Sequence, residues 1–196
     1  MTYYKDFREY LEVLDKSGKL VRVGLEVVKE TELMPLVRLQ FRGLPEEDRK
    51  GFLFQNVTDV KGRRYDAKVA VGVLASSKEI YSIGMKCKPD EIAEKWTEAR
   101  MNPAEPKIVS KGPVQEVVQM KDELMREGKG LDELPFPLST PGFSSTPRTT
   151  ASHFVTRDPD TGVVNVGNYQ AVVRGKSWMT CHVQKVQHAM IHWRKW

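Results

Sequence analysis

The stretch MTCHVQKVQH at residues 179–188 gathers Cys181, His182 and His188 into one window, with His192 just beyond it, in a chain of two cysteines and four histidines. Thiolates and imidazoles are the side chains that hold transition metals. His188 and His192 stand at i and i+4, so on a helix they project from one face and could share a zinc ion with Cys181 or His182 as a third ligand. The window lacks the adjacent glutamate of a zinc-protease helix and the paired cysteines of a structural zinc site. A plainer reading stays open beside it, in which these are a strand residue and two surface or partly buried imidazoles. Alternation along a strand sends Cys181 and His182 to opposite faces, so these two are poorly placed to share an ion.

The elements that must position these residues can be read from periodicity. In the N-terminal part, Phe7, Tyr10, Leu11 and Leu14 recur at helical spacing and predict an amphipathic helix that Gly18 ends. KLVRV at residues 19–23 alternates as a strand, and Thr31 is the expected cap of a second helix that tolerates Pro35 in its first turn. GFLFQNV and AKVAVGVL predict two more strands, followed by helices beginning near Ser76 and Pro89. Residues 102–150 are broken by seven prolines and read as a connector, with a strand-like PVQEVVQM and a short helix or loop in KDELMREGKG. From residue 151 the pattern turns to β: HFVTR, a turn at DPDTG, the long run VVNVGNYQAVVR, a turn at GK, and SWMTCHVQK. The last residues, VQHAMIHWRKW, return to helical spacing without a stop signal, as a helix cut short would.

The expected fold class is therefore α+β, with an N-terminal mixed α/β domain over residues 1–110 and a connector plus β-rich domain over residues 111–196. A chain that is 40% hydrophobic and 29% charged builds an ordinary globular core. No apolar run approaches the roughly 20 residues of a bilayer-crossing helix, and the first residues carry no secretory pattern, so a cytoplasmic location without membrane contact is expected. Cys87 and Cys181 lie in unrelated settings, which fits reduced thiols. The net charge of +5 is spread among 31 basic and 26 acidic residues with no dense basic block, which argues against a nucleic-acid partner.

The segment TRDPDTGVVNVGNYQ followed by MTCHVQKVQH resembles the UbiD family of reversible decarboxylases, which use prenylated FMN. The likeness rests on the turn at residues 156–162, the Asn-x-Gly strand at residues 165–167, and the ending KVQH at residues 185–188, where several family members have Lys-Pro-Gln-His. DFREYLEVLDKSGKLVRV, FLFQNV and GPVQEVV are similar to further family segments, so the resemblance extends over essentially the whole chain. It implies that residues 111–196 contain the first part of a split β-barrel that binds the flavin. It also implies that Asn165 and His188 bind a divalent metal, manganese or magnesium, with potassium as a further ion, beside the cofactor's phosphate. Gly167, Asn168, Tyr169 and Gln187 would then line the flavin, and His182 falls where it could contact the ring or simply pack.

Two departures from the family pattern matter. Gln170 stands where many members have an arginine that grips the substrate carboxylate, so any catalytic part it plays lacks the charge. Arg148 could replace that cation, or be a plain surface arginine. The family's third metal ligand and its catalytic glutamates fall beyond the equivalent of Trp196. The resemblance thus implies part of a (de)carboxylase for an aromatic or α,β-unsaturated acid. That part would be inactive alone and completed by another subunit or a missing C-terminal portion in a homo- or hetero-oligomer. The alternative is a non-catalytic structural or regulatory subunit of such a complex. A geometric expectation accompanies this: Asn165 and Gln170 can serve one pocket only if the strand between them bends, with Gly167 the natural place.

Overall fold

The computed structural model of the chain describes residues 3–104, 107–149 and 151–196. The first helix, α1 (Phe7–Lys16), begins where the Asp6 carboxylate accepts from the backbone N–H groups of Arg8 and Glu9. It ends before Gly18, whose φ of +68° suits glycine, and buries Tyr10, Leu11 and Leu14. Strand β1 (Leu20–Val28) continues past the expected five residues, with a register irregularity between Val23 and Glu26. Helix α2 (Leu33–Gly43) carries Pro35 in its first turn as expected. Thr31 does not cap it, however. The flanking residue is Glu32, whose carboxylate reaches back to accept from the Val28 N–H at 2.8 Å, so the turn is closed from the other side.

Strand β2 (Gly51–Thr58) pairs parallel to β1 and antiparallel to both β3 (Arg64–Tyr65) and β4 (Val69–Val71). The run AKVAVGVL thus yields only a short strand, because the chain turns at Gly72, where φ is +72°. Helices α3 (Lys78–Met85), capped by Ser77, and α4 (Ile92–Met101) follow. Alternation on β2 divides the core into two layers. Leu53 packs with Tyr10, Leu11, Leu14, Leu20, Val73 and Ile80 on the α1 and α3 side. The next residue, Phe54, packs with Val27, Leu33, Val37 and Val57 on the α2 side. A helix–sheet–helix arrangement results, which is the mixed α/β unit expected from the sequence.

The connector is pinned onto this unit. Leu138 N–H donates to Lys29 O at 3.1 Å, and Arg38 reaches Thr140 Oγ1 at 2.8 Å. Helix α5 (Lys121–Met125) forms in KDELMREGKG. PVQEVVQM is not a strand: a 3₁₀ turn at Pro113–Gln115 occupies its start, the Gly112 N–H donates to Gln115 Oε1, and its valines face solvent without a strand partner.

The C-terminal part holds two small antiparallel sheets. Strand β5 (Arg148–Thr149) pairs with β8 (Ala171–Val173), which pairs with β9 (Met179–Cys181). Strands β6 (His153–Arg157) and β7 (Val164–Asn168) form a separate hairpin. The run VVNVGNYQAVVR is therefore two strands in different sheets. Helix α6 (His188–Lys195) closes the chain against the hairpin. Among the described residues no helix is long and apolar enough to cross a membrane.

Candidate functional site

The TRDPDTG turn joins β6 to β7. Asp158 organises it: its carboxylate accepts from the N–H groups of Asp160 and Thr161 at 2.9 and 3.4 Å, while its backbone bonds Val163 and Gly162. Gly162 sits at φ +75°, which the turn requires. The ladder then runs without a bulge from Arg157↔Val164 to His153↔Asn168. Its inner face carries Phe154, Thr156 and Asp158 from β6 and Asn165 and Gly167 from β7, continued by Tyr169. Ala189 and His192 of α6 are buried against that face.

At the centre of this face, Asn165 Oδ1 lies 3.3 Å from His188 Nδ1. The other end of the Asn165 amide donates to Thr156 Oγ1 at 3.5 Å and to the Tyr169 hydroxyl at 3.4 Å, both long contacts. Tyr169 also accepts from the Ala189 N–H at 3.4 Å, which ties β7 to the first turn of α6. His192, one turn after His188, has Nδ1 3.0 Å from Thr156 Oγ1. The two imidazoles are nearly parallel, with centroids 6.4 Å apart and planes inclined by 19°. At its far end α6 is clamped by Lys195, which pairs with Asp158 at 2.7 Å and Asp160 at 3.1 Å, and by Trp196, whose indole donates to Arg157 O. The Lys195 ammonium, helped by the turn's N–H groups and opposed by burial, holds the Asp158 carboxyl down at about 2.

The sequence-predicted residues thus fall into groups. Asn165, Tyr169 and His188 are brought together by β7 and α6. Gln170 and His182 form a second pair: His182 N–H donates to Gln170 O at 2.9 Å, one step beyond the Ala171↔Cys181 pair, so both side chains emerge on the same exposed side. Asn165 and Gln170 are not brought onto one face, because no bend falls at Gly167. The chain changes sheet only at Tyr169 and Gln170. Gln187 precedes α6, with its carbonyl accepting from Met190 and Ile191. Arg148 lies on β5 with an exposed side chain.

Of the three residues expected to line a flavin from β7, only one offers free backbone. Tyr169 N–H donates to Ser152 O within the hairpin, and by the alternation of the ladder Gly167 also bonds toward β6. Asn168 is a non-bonded pair with His153, so its N–H and C=O point off the open edge of β7. The space beside Gly167 is taken by the Tyr169 ring.

The donor chemistry at Asn165 and His188 fits part of a metal centre. Two donors bound at right angles to one octahedral ion stand about 3 Å apart, close to the observed separation. Among the described residues no group of three or more His, Cys, Asp and Glu completes a site. The sequence had marked His188 and Asn165 but not Thr156 or Asp158. Thr156 sits directly across the ladder from Asn165, and Asp158 follows it in the same phase. Counting back two at a time along β6 would have found both.

Residues 107–196 match the family model described as a 3-octaprenyl-4-hydroxybenzoate carboxy-lyase Rift-related domain. An uncharacterised protein of Aquifex aeolicus (strain VF5) is 29% identical over 92% of this chain and 38% of its own length. The UbiD-class enzyme HmfF of Pelotomaculum thermopropionicum, solved in complex with FMN, is 28% identical with a TM-score of 0.77, over 96% of this chain and 38% of that one. An evolved dimeric form of HmfF, solved with prFMN, is 26% identical with a TM-score of 0.75. The vanillic acid decarboxylase of Sedimentibacter hydroxybenzoicus shares the fold at 22% identity, with a TM-score of 0.80 over 100% of this chain and 40% of that one. The chain thus spans about two fifths of the length of the relatives it matches. Residues 107–196 thus carry a UbiD-family domain, and UbiD-class folds overlie nearly the whole chain, which corresponds to the N-terminal portion of that fold.

Proposed function

We propose that this chain supplies the metal and flavin-phosphate anchor of a UbiD-type (de)carboxylase acting on an aromatic or α,β-unsaturated carboxylic acid. The observation that carries the reading is the convergence of Asn165 Oδ1 and His188 Nδ1 at 3.3 Å, on strand and helix of a UbiD-family domain. An amide oxygen and a neutral imidazole ligate a divalent ion such as manganese or magnesium without cancelling its charge, which leaves that charge for a phosphate. The N-terminus of α6, where His188 stands, adds the positive end of a helix dipole beside the same place.

In this proposal Asn168 takes the cofactor with its open-edge peptide groups, Gln187 and His182 border it, and Gly167 and Tyr169 shape the strand behind it. Prenylated FMN, when bound, supplies the electron sink that loss of carbon dioxide requires. The support for that cofactor is the pair of HmfF structures holding FMN and prFMN. Residues of this chain orient and anchor. The third metal ligand and the acid that returns a proton to carbon come from another subunit or from a C-terminal portion, and a split-barrel completion and oligomeric assembly belong to the same proposal. Gln170 lies off the Asn165 face, beside His182, where it offers a carboxylate hydrogen bonds but no charge, and this favours a second reading, in which the chain is a non-catalytic subunit that keeps the anchor.

Flavin fluorescence tests the proposal. FMN titrated with the chain and Mn²⁺ together should be quenched and polarised. Binding that is indifferent to the metal, or no binding in the presence of a completing UbiD-family partner, would overturn it.

A further inference from the structure

A carboxamide has two ends alike in shape and opposite in chemistry: the oxygen can ligate and the NH₂ cannot. Asn165 serves a metal only while its oxygen faces His188, so something must hold the amide against a half-turn. On the assumption that Asn165 is a ligand, which is the reading above, we infer that Thr156 and His192 form a positioning relay that fixes the Asn165 amide with its oxygen toward His188.

Three features carry this. Thr156 is directly opposite Asn165 in the β6–β7 ladder, and its hydroxyl meets the amide nitrogen at 3.5 Å. A threonine hydroxyl by itself does not choose between the two ends of an amide, since it donates as readily as it accepts. His192 makes the choice. Its Nδ1 lies 3.0 Å from Thr156 Oγ1, and His192 is buried at 5% exposure while Thr156 is half-buried. With the proton of neutral His192 on Nε2, Nδ1 accepts the threonine proton and leaves the Thr156 lone pairs for an N–H donor. The amide then presents NH₂ to Thr156 and oxygen to His188. With the proton on Nδ1, Thr156 would accept from His192 and donate toward Asn165, which selects the wrong end. The relay therefore requires the Nε2–H tautomer of His192. The Tyr169 hydroxyl, itself fixed by the Ala189 N–H, is the second acceptor for the amide. Partners behind a metal ligand commonly set its orientation in this way, and losing one weakens metal affinity about tenfold or more.

Nitrogen-15 NMR of the full chain without metal reads the relay directly. The expected result is a His192 whose Nε2 carries the proton and whose Nδ1 accepts from Thr156, with a well-dispersed Asn165 side-chain NH₂ pair. Thr156→Val keeps the shape and removes the hydroxyl. It should shift and broaden that pair and weaken Mn²⁺ binding about tenfold. Thr156→Ser should restore both. A His192 protonated on Nδ1, or a Thr156→Val chain with the wild-type Asn165 resonances, overturns the relay. If the valine variant does not fold, the wild-type tautomer and the serine variant still decide. If the wild-type chain binds no Mn²⁺ while Thr156→Val still releases the amide, the metal reading fails and the relay stands.

Discussion

The Tyr169 ring lies over Gly167 so closely that a Cβ built on the glycine would fall well inside van der Waals contact with the ring's Cε2, Cζ and hydroxyl oxygen. The ring is buried, tilts against Phe154 at 6.0 Å, and carries the hydroxyl that holds Asn165 and Ala189. The glycine is therefore required by the chain's own packing. Gly167→Ala should destabilise the chain by about 1–3 kcal/mol, as overpacking does. Adding Tyr169→Leu should recover part of that loss, so the double substitution costs less than the sum. Urea denaturation of the three variants measures the coupling, and strict additivity would mean that the two residues do not touch.

Thr149 buries a hydroxyl that has no hydrogen-bond partner among the described residues. Its desolvation is then uncompensated, so Thr149→Val should be neutral or stabilising by up to about 1 kcal/mol. A loss of more than that in thermal or urea unfolding would reveal a partner for the hydroxyl.

How far the sequence led differs between the two halves. In the N-terminal unit α1, α2 and α3 each bury one face against one of the two core layers on β2, so periodicity at Tyr10, Leu11 and Leu14 or along Gly51–Thr58 located the elements directly. Thr31 misled because a good capping residue lies next to Glu32, whose longer side chain closes the turn instead. In the β-rich part, alternation continues from Val164 through Val173 even though the chain passes from one sheet to another at Tyr169. A period of two reports which face a residue takes, and it is silent on which strand pairs with it. That is why Gln170 reads as Asn165's neighbour in sequence yet pairs with His182 in space. The Thr156 and His192 contacts depend on α6 docking across the hairpin, which no local pattern encodes.

Acid should loosen α6 from the hairpin. Asp158 is held at about 2 by Lys195, below its ordinary value near 4. A carboxyl with a depressed folded pKa gives stability that is complete above the unfolded value and lost as pH falls through the folded one. Stability should therefore fall between about pH 5 and pH 2. Asp158→Asn should flatten this part of the profile. Tryptophan fluorescence follows it, because Trp196 donates to Arg157 beside the same turn. An identical acid profile in the variant would assign the loss to other carboxylates.

Gln170 meets its neighbour through its backbone carbonyl, and its side chain is exposed. Gln170→Arg should leave stability unchanged to roughly 0.5 kcal/mol. If the exposed side of Gln170 and His182 receives a substrate carboxylate, the added cation should also tighten benzoate binding measured by calorimetry. Unchanged benzoate affinity would remove Gln170 from the substrate side of the proposal.

The central claim is that Asn165 and His188 hold one divalent ion, and pulsed electron paramagnetic resonance of Mn²⁺ bound to the chain with FMN tests it most directly. The account predicts modulation from one imidazole nitrogen that vanishes in His188→Ala, phosphorus coupling from the FMN phosphate, and weakened binding in Asn165→Ala. A Mn²⁺ spectrum with no imidazole modulation, or one unchanged by His188→Ala, would contradict it.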